Sequence, residues 1–120
     1  MRITSFSPLI VSEKAEDITK LFEELGFEKK HCNKDITASA SYDATMQDAD
    51  GNRIDVTKVV QLPKDFTLIR MNVDDFDEAY EFLTSRGFKQ QGKTAVLPSS
   101  KSAMMVSPSG FAFDLCQHIK

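Results

Sequence analysis

The chain repeats one order of apolar and polar segments twice. Apolar runs at residues 3–11 and 66–73 predict two opening strands. After each run, apolar residues recur at the three- and four-residue spacing of an amphipathic helix. These stripes are Ala15, Ile18, Leu21, Phe22 and Leu25 in the first copy, and Phe76, Ala79, Tyr80 and Leu83 in the second. The pattern predicts that each opening strand is followed by a helix with one apolar face.

Both predicted helices carry start and stop signals. Ser12 can cap the first helix, and Asp75, with Glu78 three residues later, gives the second a capping-box pattern. Gly26 and Gly87 follow the last predicted turns, and glycine adopts the left-handed conformation that ends a helix at little cost. Each helix is therefore expected to end at its glycine.

Shorter β-like segments complete each copy. They lie at residues 27–32, 39–48 and 50–56 in the first copy, and at residues 88–91, 102–107 and 109–115 in the second. The last segment of each copy begins with a hairpin turn that contains Gly51 or Gly110. Two βαβββ modules result, about residues 1–60 and 65–120, joined by a short linker. Since one module cannot cover both faces of its sheet, we predict a single domain over residues 1–120.

Composition narrows the functional classes. The chain has 120 residues, a net charge of −3, 41% hydrophobic residues and 28% charged residues. Nucleic acid is not an expected partner, because its binding requires a basic face. No apolar run approaches the roughly 20 residues of a membrane span. Cys32 and Cys116 form no CxxC pair and no disulfide framework, so we expect reduced thiols in a cytoplasmic protein.

Three segments resemble the glyoxalase, bleomycin-resistance and extradiol dioxygenase group, also called the vicinal oxygen chelate superfamily. They are residues 9–11 before the first helix, residues 71–75 before the second, and the closing turn and strand at residues 107–115. The resemblance covers nearly the whole chain. It implies an α+β fold in which two βαβββ modules form a curved mixed sheet around a cavity. The group contains metal-dependent lyases, isomerases and dioxygenases, and also metal-free proteins that sequester drugs.

The resemblance also implies where metal ligands would lie. In metal-using relatives, the first and last strands of each module carry His, Glu or Gln. The matching positions here are Phe6, Leu68, Asp55 and Asp114. Phenylalanine and leucine offer no lone pair, and two aspartates alone are a poor transition-metal site. We therefore predict no metal and no cofactor.

Strand alternation indicates what else would face the cavity. The predicted ligand-binding residues are Phe6, Asp55, Phe66, Leu68, Arg70 and Asp114. Two interpretations of Arg70 remain open. Its guanidinium could hold an anionic ligand, or it could pair with Asp114 or Asp55, because buried carboxylates need partners. The same alternation places Ile69, Met71 and Val73 beneath the second helix.

Two other motifs have simpler explanations than a metal site. Residues 48–52 partly match a calcium loop but lack its third acid before the glycine and its distal glutamate, so we predict a polar hairpin turn. His31-Cys32 and Cys116-x-His118 match no zinc spacing and are interpreted as residues at strand ends.

Three functional hypotheses follow. The first is a metal-free protein that binds a small drug-like or aromatic molecule, and the acidic balance of the chain is compatible with a cationic one. The second is a divalent-metal-dependent lyase, isomerase or dioxygenase of the same superfamily. The third is a structural or regulatory module with a vestigial cavity. The resemblance also implies a homodimer.

Overall fold

The computed structural model describes residues 1–35, 41–59, 62–97 and 100–118. Part of the predicted segment 39–48 and the start of the predicted linker therefore lie outside the described residues. The side chains of His31 and Cys32 also lie outside the description. Neither of the two described helices has the length and apolar character that a membrane-spanning helix requires.

The described residues form an α+β fold with two helices and eight strands in mixed pairing. In chain order the elements are β1 (Ile3–Ser12), α1 (Ala15–Glu24), β2 (Glu28–Asp35), β3 (Ser41–Gln47), β4 (Arg53–Lys58), β5 (Phe66–Val73), α2 (Phe76–Thr84), β6 (Lys89–Leu97), β7 (Ser100–Val106) and β8 (Ala112–His118). This order confirms the α+β class and the two βαβββ modules. The curved sheet and its cavity stay predictions.

The chain divides into two compact units whose boundaries fall inside strands rather than in the linker. The first unit is Ser7–Leu68, and the second unit combines Met1–Phe6 with Ile69–Lys120. Each unit thus takes the beginning of one opening strand and the end of the other. The single-domain expectation stays a prediction.

In the first unit, β1 runs parallel to β4, and β4, β3 and β2 pair antiparallel. Helix α1 packs on a small cluster of Ala15, Ala44 and Val56, with Ile18 against it. The predicted stripe is wrong for its two leucines, because Leu21 is 49% exposed and Leu25 is 63% exposed. Thr19 is buried instead, and its hydroxyl donates to the carbonyl of Glu16 at 2.9 Å. The hydroxyl of Thr19 can be buried here because a carbonyl of the helix backbone accepts its hydrogen bond.

The predicted cap of α1 is also wrong. Lys14 stands at the N-cap position and makes no side-chain capping bond. The Ser12 hydroxyl accepts the backbone N–H of Lys14 at 3.0 Å, two residues too early to satisfy the first turn of the helix. Helix α1 therefore begins without a side-chain cap.

In the second unit, β5 runs parallel to β8, and β8, β7 and β6 pair antiparallel. Helix α2 begins as predicted, because the Asp75 carboxylate accepts the backbone N–H of Glu78 at 3.1 Å. Its core contains Val73, Phe76, Ala79, Leu83, Ala103, Met105, Phe113 and Leu115, with Met71, Tyr80 and Phe88 packed against it. The predicted positions of Met71 and Val73 are confirmed, whereas Ile69 is exposed.

The two closing turns share one hydrogen-bond pattern. In the first, the backbone N–H of Asp48 donates to the carbonyl of Asn52, and the Asp48 carboxylate accepts the Asn52 N–H at 2.8 Å. In the second, Ser107 and Phe111 make the same two bonds, with a hydroxyl in place of the carboxylate. The Asp48 carboxylate is used inside the turn, which confirms the polar hairpin at residues 48–52.

Candidate ligand-binding face of the second unit

The sheet of the second unit has one apolar face and one polar face. Helix α2 covers the side chains of Val73, Met105 and Leu115. Because successive side chains of a strand point to opposite sides, their neighbours lie on the other face. We call this the polar face, and it contains Ser5, Arg70, Asn72, Met104, Asp114 and Cys116. These residues come from β1, β5, β7 and β8.

An ion pair lies at the centre of the polar face. Arg70 and Asp114 are register partners on the parallel strands β5 and β8. The Arg70 Nε donates to Asp114 Oδ2 at 2.9 Å, a distance typical of a charge-assisted hydrogen bond. The two side chains are 13% and 16% exposed, so water screens the pair only partly. This contact agrees with the second interpretation of Arg70, in which its guanidinium pairs with an aspartate.

A buried amide lies beside the ion pair. Asn72 follows Arg70 by two residues on β5, is 2% exposed, and donates from Nδ2 to the Ser5 hydroxyl at 2.9 Å. Its Oδ1 is inaccessible and accepts no hydrogen bond from any described residue. A buried carbonyl oxygen without a donor is costly, so this oxygen marks a place where a donor group is missing.

Softer side chains complete the polar face. Met104 is the register partner of Asp114, and Cys116 is the register partner of Asn72. Cys116 is a buried thiol, whereas Met104 is partly buried. The polar groups are therefore flanked by polarizable sulfur-containing side chains.

The first unit holds its own aspartate differently. Asp55 is completely buried on β4, and Arg53 lies two residues earlier on the same face of that strand. The Arg53 Nε and Nη2 donate to the two carboxylate oxygens of Asp55 at 3.2 Å and 3.3 Å. The sequence interpretation weighed only Arg70 as a partner for the aspartates and missed this pair. The two-residue spacing of Arg53 and Asp55 was the signal that could have revealed it.

The six predicted ligand-binding residues fall into both units. Phe6, Arg70 and Asp114 belong to the second, while Asp55, Phe66 and Leu68 belong to the first. Among these six, the structure brings Arg70 and Asp114 into direct contact. Within the first unit, Leu68 is buried and Phe66 is exposed.

Ser5 rather than Phe6 reaches the polar face. The hydroxyl of Ser5 bonds to Asn72, and alternation places the ring of Phe6 on the opposite side of β1, where it is 66% exposed. Ser5 and Phe6 are adjacent on β1, so a prediction that is shifted by one residue assigns the wrong side chain to a face of the sheet. Strand alternation had placed Asn72 on the cavity side together with Arg70, whereas Ser5 was missed, because only its contact with Asn72 identifies it.

The residues at the family's metal-ligand positions do not fit a metal. Phe6 and Leu68 have no donor atom, and the carboxylates of Asp55 and Asp114 are each held by an arginine of their own unit. Transition metals in proteins are usually held by three or more protein ligands. Among the described residues, no group of three or more His, Cys, Asp and Glu side chains is placed to hold an ion.

Comparison with known proteins gives the fold. The sequence matches no protein-family model and no curated protein. Among solved structures, it is similar to a glyoxalase/bleomycin resistance protein/dioxygenase superfamily member from Vibrio splendidus 12B01. That match has 17% identity, covers 94% of this chain and 97% of that chain, and has a TM-score of 0.60.

Two enzymes have similar structures. Methylmalonyl-CoA epimerase from Mycobacterium tuberculosis matches with 12% identity over 98% of this chain and 90% of that chain, at a TM-score of 0.73. Glyoxalase I from Zea mays matches with 16% identity over 97% of this chain and 43% of that chain, at a TM-score of 0.69. The element order and these similarities confirm the resemblance at the level of fold. The chain has the fold of the glyoxalase/bleomycin resistance/dioxygenase superfamily.

Proposed function

We propose that this chain is a metal-free small-molecule-binding protein that holds a partly apolar or aromatic molecule against the polar face of the second unit. The observation that carries the proposal is the partly buried Arg70–Asp114 pair beside the unsatisfied Asn72 oxygen. We further propose a cytoplasmic location and a homodimer, in keeping with the family resemblance and the absence of a cysteine framework.

The composition of the polar face supports binding. Ligand sites combine apolar walls with a few convergent polar groups that fix orientation. Here the partly buried Met104 supplies a polarizable contact surface, and the ion pair and the amide supply polar groups that can orient a ligand. A face built only for stability would carry apolar residues, because a buried ion pair rarely stabilises a fold more than well-packed apolar side chains do.

The arginine partners favour a binding protein over a metal enzyme. A divalent ion at Asp114 would have to compete with the guanidinium of Arg70 at 2.9 Å. In the first unit, it would compete with the two-point contact of Arg53 with Asp55. Some proteins with this fold are named as an epimerase and a glyoxalase, and a shared fold does not transfer their reactions to this chain.

Two measurements test the proposal. Elemental analysis of untagged protein, purified without chelator, is expected to find divalent metal only at background levels. A panel of small aromatic molecules is then screened by thermal shift, and at least one is expected to stabilise the wild-type chain but not the Asp114→Asn variant. A stoichiometric metal that is lost in Asp114→Asn would contradict the proposal and support a lyase, isomerase or dioxygenase.

A matched control separates binding from a general effect of charge. Asp77 lies on α2 in the same unit, is largely exposed, and pairs with Lys101 at 3.0 Å. The Asp77→Asn variant makes the same chemical change away from the polar face. It is expected to keep the thermal shift of the wild-type protein. Equal loss of the shift in both variants would contradict a site at Asp114.

A further inference from the structure

We infer that α1 is the interface of the homodimer, where it packs antiparallel against α1 of a second copy of this chain. This inference rests on the homodimer proposed above and names its contact surface. Two features of α1 support it. One is an apolar stripe that the core of the unit leaves exposed, and the other is a row of charges whose order is self-complementary. Both features lie within the first unit.

The apolar stripe of α1 continues beyond the core beneath the helix. Ile18, Leu21 and Leu25 follow one another at spacings of three and four residues, so they lie along one side of the helix. Ile18 is half-buried against the core cluster, whereas both leucines are exposed. The same spacing forms the seam between two packed helices. A contiguous apolar patch, unlike a single exposed side chain, is typical of an interaction surface.

A row of charges lies beside the apolar stripe. Its four members are exposed, recur every three or four residues and alternate in sign. They are Lys14, Asp17, Lys20 and Glu24. Glu16 of the same helix pairs with Lys58 at 3.3 Å, but none of the four makes an ion pair with another described residue. These charges are therefore available to a partner.

The order of the charges matches its own reverse with the signs exchanged. When two copies of α1 run antiparallel about residues 18 and 19, Lys14 lies level with Glu24 of the second copy. Asp17 likewise lies level with Lys20 of the second copy, and Leu21 lies beside its Ile18. Each of these contacts occurs twice in a two-fold symmetric interface. Parallel pairing would place like charges level with each other, so the charges favour the antiparallel arrangement.

The exposed charges of α2 have the opposite property. Asp77, Glu78 and Glu81 have one sign, so they would repel the same face of a second copy. Helix α1 has ten residues and is about 15 Å long. A contact through this helix alone lies at the small end of protein interfaces, so we expect a dimer with a dissociation constant on the order of micromolar.

Two double variants test the charges by complementation. Lys14→Glu with Lys20→Glu makes the row wholly acidic, and Asp17→Lys with Glu24→Lys makes it wholly basic. Sedimentation equilibrium is expected to show each variant dimerising at least roughly tenfold more weakly than the wild-type chain, because like charges then face each other. An equimolar mixture is expected to form a heterodimer about as tight as the wild-type dimer, which native mass spectrometry identifies. Mixing could not rescue a misfolded variant.

A matched control makes the same charge change elsewhere. Lys89 and Lys93 are exposed on β6 of the second unit. Lys89→Glu with Lys93→Glu changes the net charge as much as the acidic α1 variant does. It is expected to dimerise like the wild-type chain. Equal weakening in the two variants would reveal an effect of net charge alone and would overturn the α1 interface.

A second pair of variants tests the apolar stripe. Leu21→Gln with Leu25→Gln is expected to weaken the dimer at least roughly tenfold, because it removes the apolar centre of the contact. Phe82→Gln makes a similar change at the exposed phenylalanine of α2 and is expected to leave the dimer intact. Circular dichroism confirms that both variants are folded. Loss of the dimer in Phe82→Gln, with retention in the leucine variant, would overturn the placement on α1.

The outcomes separate the interface from the proposals on which it rests. A wild-type dimer that persists in every α1 variant would leave the homodimer standing and overturn its placement on α1. A wild-type chain that stays monomeric at millimolar concentration would overturn both. Failure of the thermal-shift screen would overturn small-molecule binding and leave the α1 interface standing.

Discussion

The two helices of the molecule begin from similar apolar patterns and end in different surroundings. Helix α2 packs its predicted stripe into a large cluster that includes Phe76 and Leu83. Helix α1 packs on a small cluster around Ala15 and Val56 and leaves Leu25 exposed. A helical period shows that one side is apolar, but the size of the side chains beneath the helix decides how much of that side is buried.

The same contrast extends to the charged groups. Each unit contains an aspartate on its closing strand, and each aspartate is paired with an arginine. In the first unit the arginine comes from the same strand and is partly exposed, whereas in the second it comes from the neighbouring strand and is mostly buried. The two modules therefore use similar ion pairs whose arginines differ in their exposure to water.

The largest expected difference between the units is in helix packing. Leu83→Ala removes a buried side chain from the core under α2, and Leu25→Ala removes an exposed one from the end of α1. We expect Leu83→Ala to lower the free energy of unfolding by about 2–5 kcal/mol, because it creates a cavity. Leu25→Ala is expected to change it by less than about 1 kcal/mol. Urea unfolding followed by circular dichroism measures both, and equal losses would refute the difference in packing.

Breaking the ion pair of each unit is expected to give the next largest difference in unfolding free energy. Asp114→Asn removes the charged carboxylate that accepts the Nε–H of the mostly buried Arg70, and we expect a loss of about 2–3 kcal/mol in unfolding free energy. Asp55→Asn leaves Arg53, which is 31% exposed and can turn toward water, so we expect a loss of about 1 kcal/mol. Chemical denaturation at neutral pH compares the two variants. A larger loss for Asp55→Asn would show that its own burial, rather than the exposure of the arginine, controls the cost.

Substitutions at the helix caps are expected to give a smaller difference in stability between the two units. Asp75→Ala removes the carboxylate that accepts the N–H of Glu78 and is expected to cost about 1 kcal/mol. Lys14→Ala at the start of α1 removes no capping bond and is expected to have almost no effect on unfolding. Thermal unfolding of the two variants under identical conditions provides the check. Equal shifts in Tm would contradict the assignment of a cap to α2 alone.

The smallest expected difference is in the pH response of the closing turns. The side-chain amide of Asn52, with backbone N–H groups of the turn, lowers the pKa of Asp48. The folded-state pKa lies below the unfolded one, so the stabilisation is present above the ordinary pKa of about 3.9. It is lost as the pH falls through the depressed value. The Ser107 hydroxyl does not titrate in this range, so the second turn lacks this response.

Carboxyl titration by NMR tests the turns directly. In the wild-type protein, acid is expected to shift the amide signal of Asn52 at a pH below the ordinary aspartate range. The Asp48→Ser variant is expected to lose this response, and Ser107→Asp is expected to introduce it at Phe111. A titration of Asp48 at or above the ordinary aspartate pKa would contradict the hydrogen bonds that define the turn.

Local signals predicted the elements well where one residue decides the structure. The second opening strand was predicted at residues 66–73 and is observed at Phe66–Val73. Asp75 caps α2, and Gly51 and Gly110 adopt positive φ in their turns. These features depend on neighbours within a few residues, so the sequence contains all the information that they need.

Predictions failed where two distant segments had to be compared. The cap predicted at Ser12 is a local exception, since α1 begins two residues later than that role requires. Leu21 extends the apolar period but has no cluster of large side chains to cover it. Ser5 reaches Asn72 because of the strand register, and alternation alone could not choose between Ser5 and Phe6.

The sequence by itself determined the repeated βαβββ order, the turns and the fold, because periodicity and glycine positions act locally. Only the tertiary structure decided that Arg70 pairs with Asp114, that Arg53 pairs with Asp55, and that the oxygen of Asn72 is left without a donor among the described residues. Hydrogen bonds and ion pairs depend on distances of a few ångströms. The register between strands sets those distances, and the strands come together only in the folded chain.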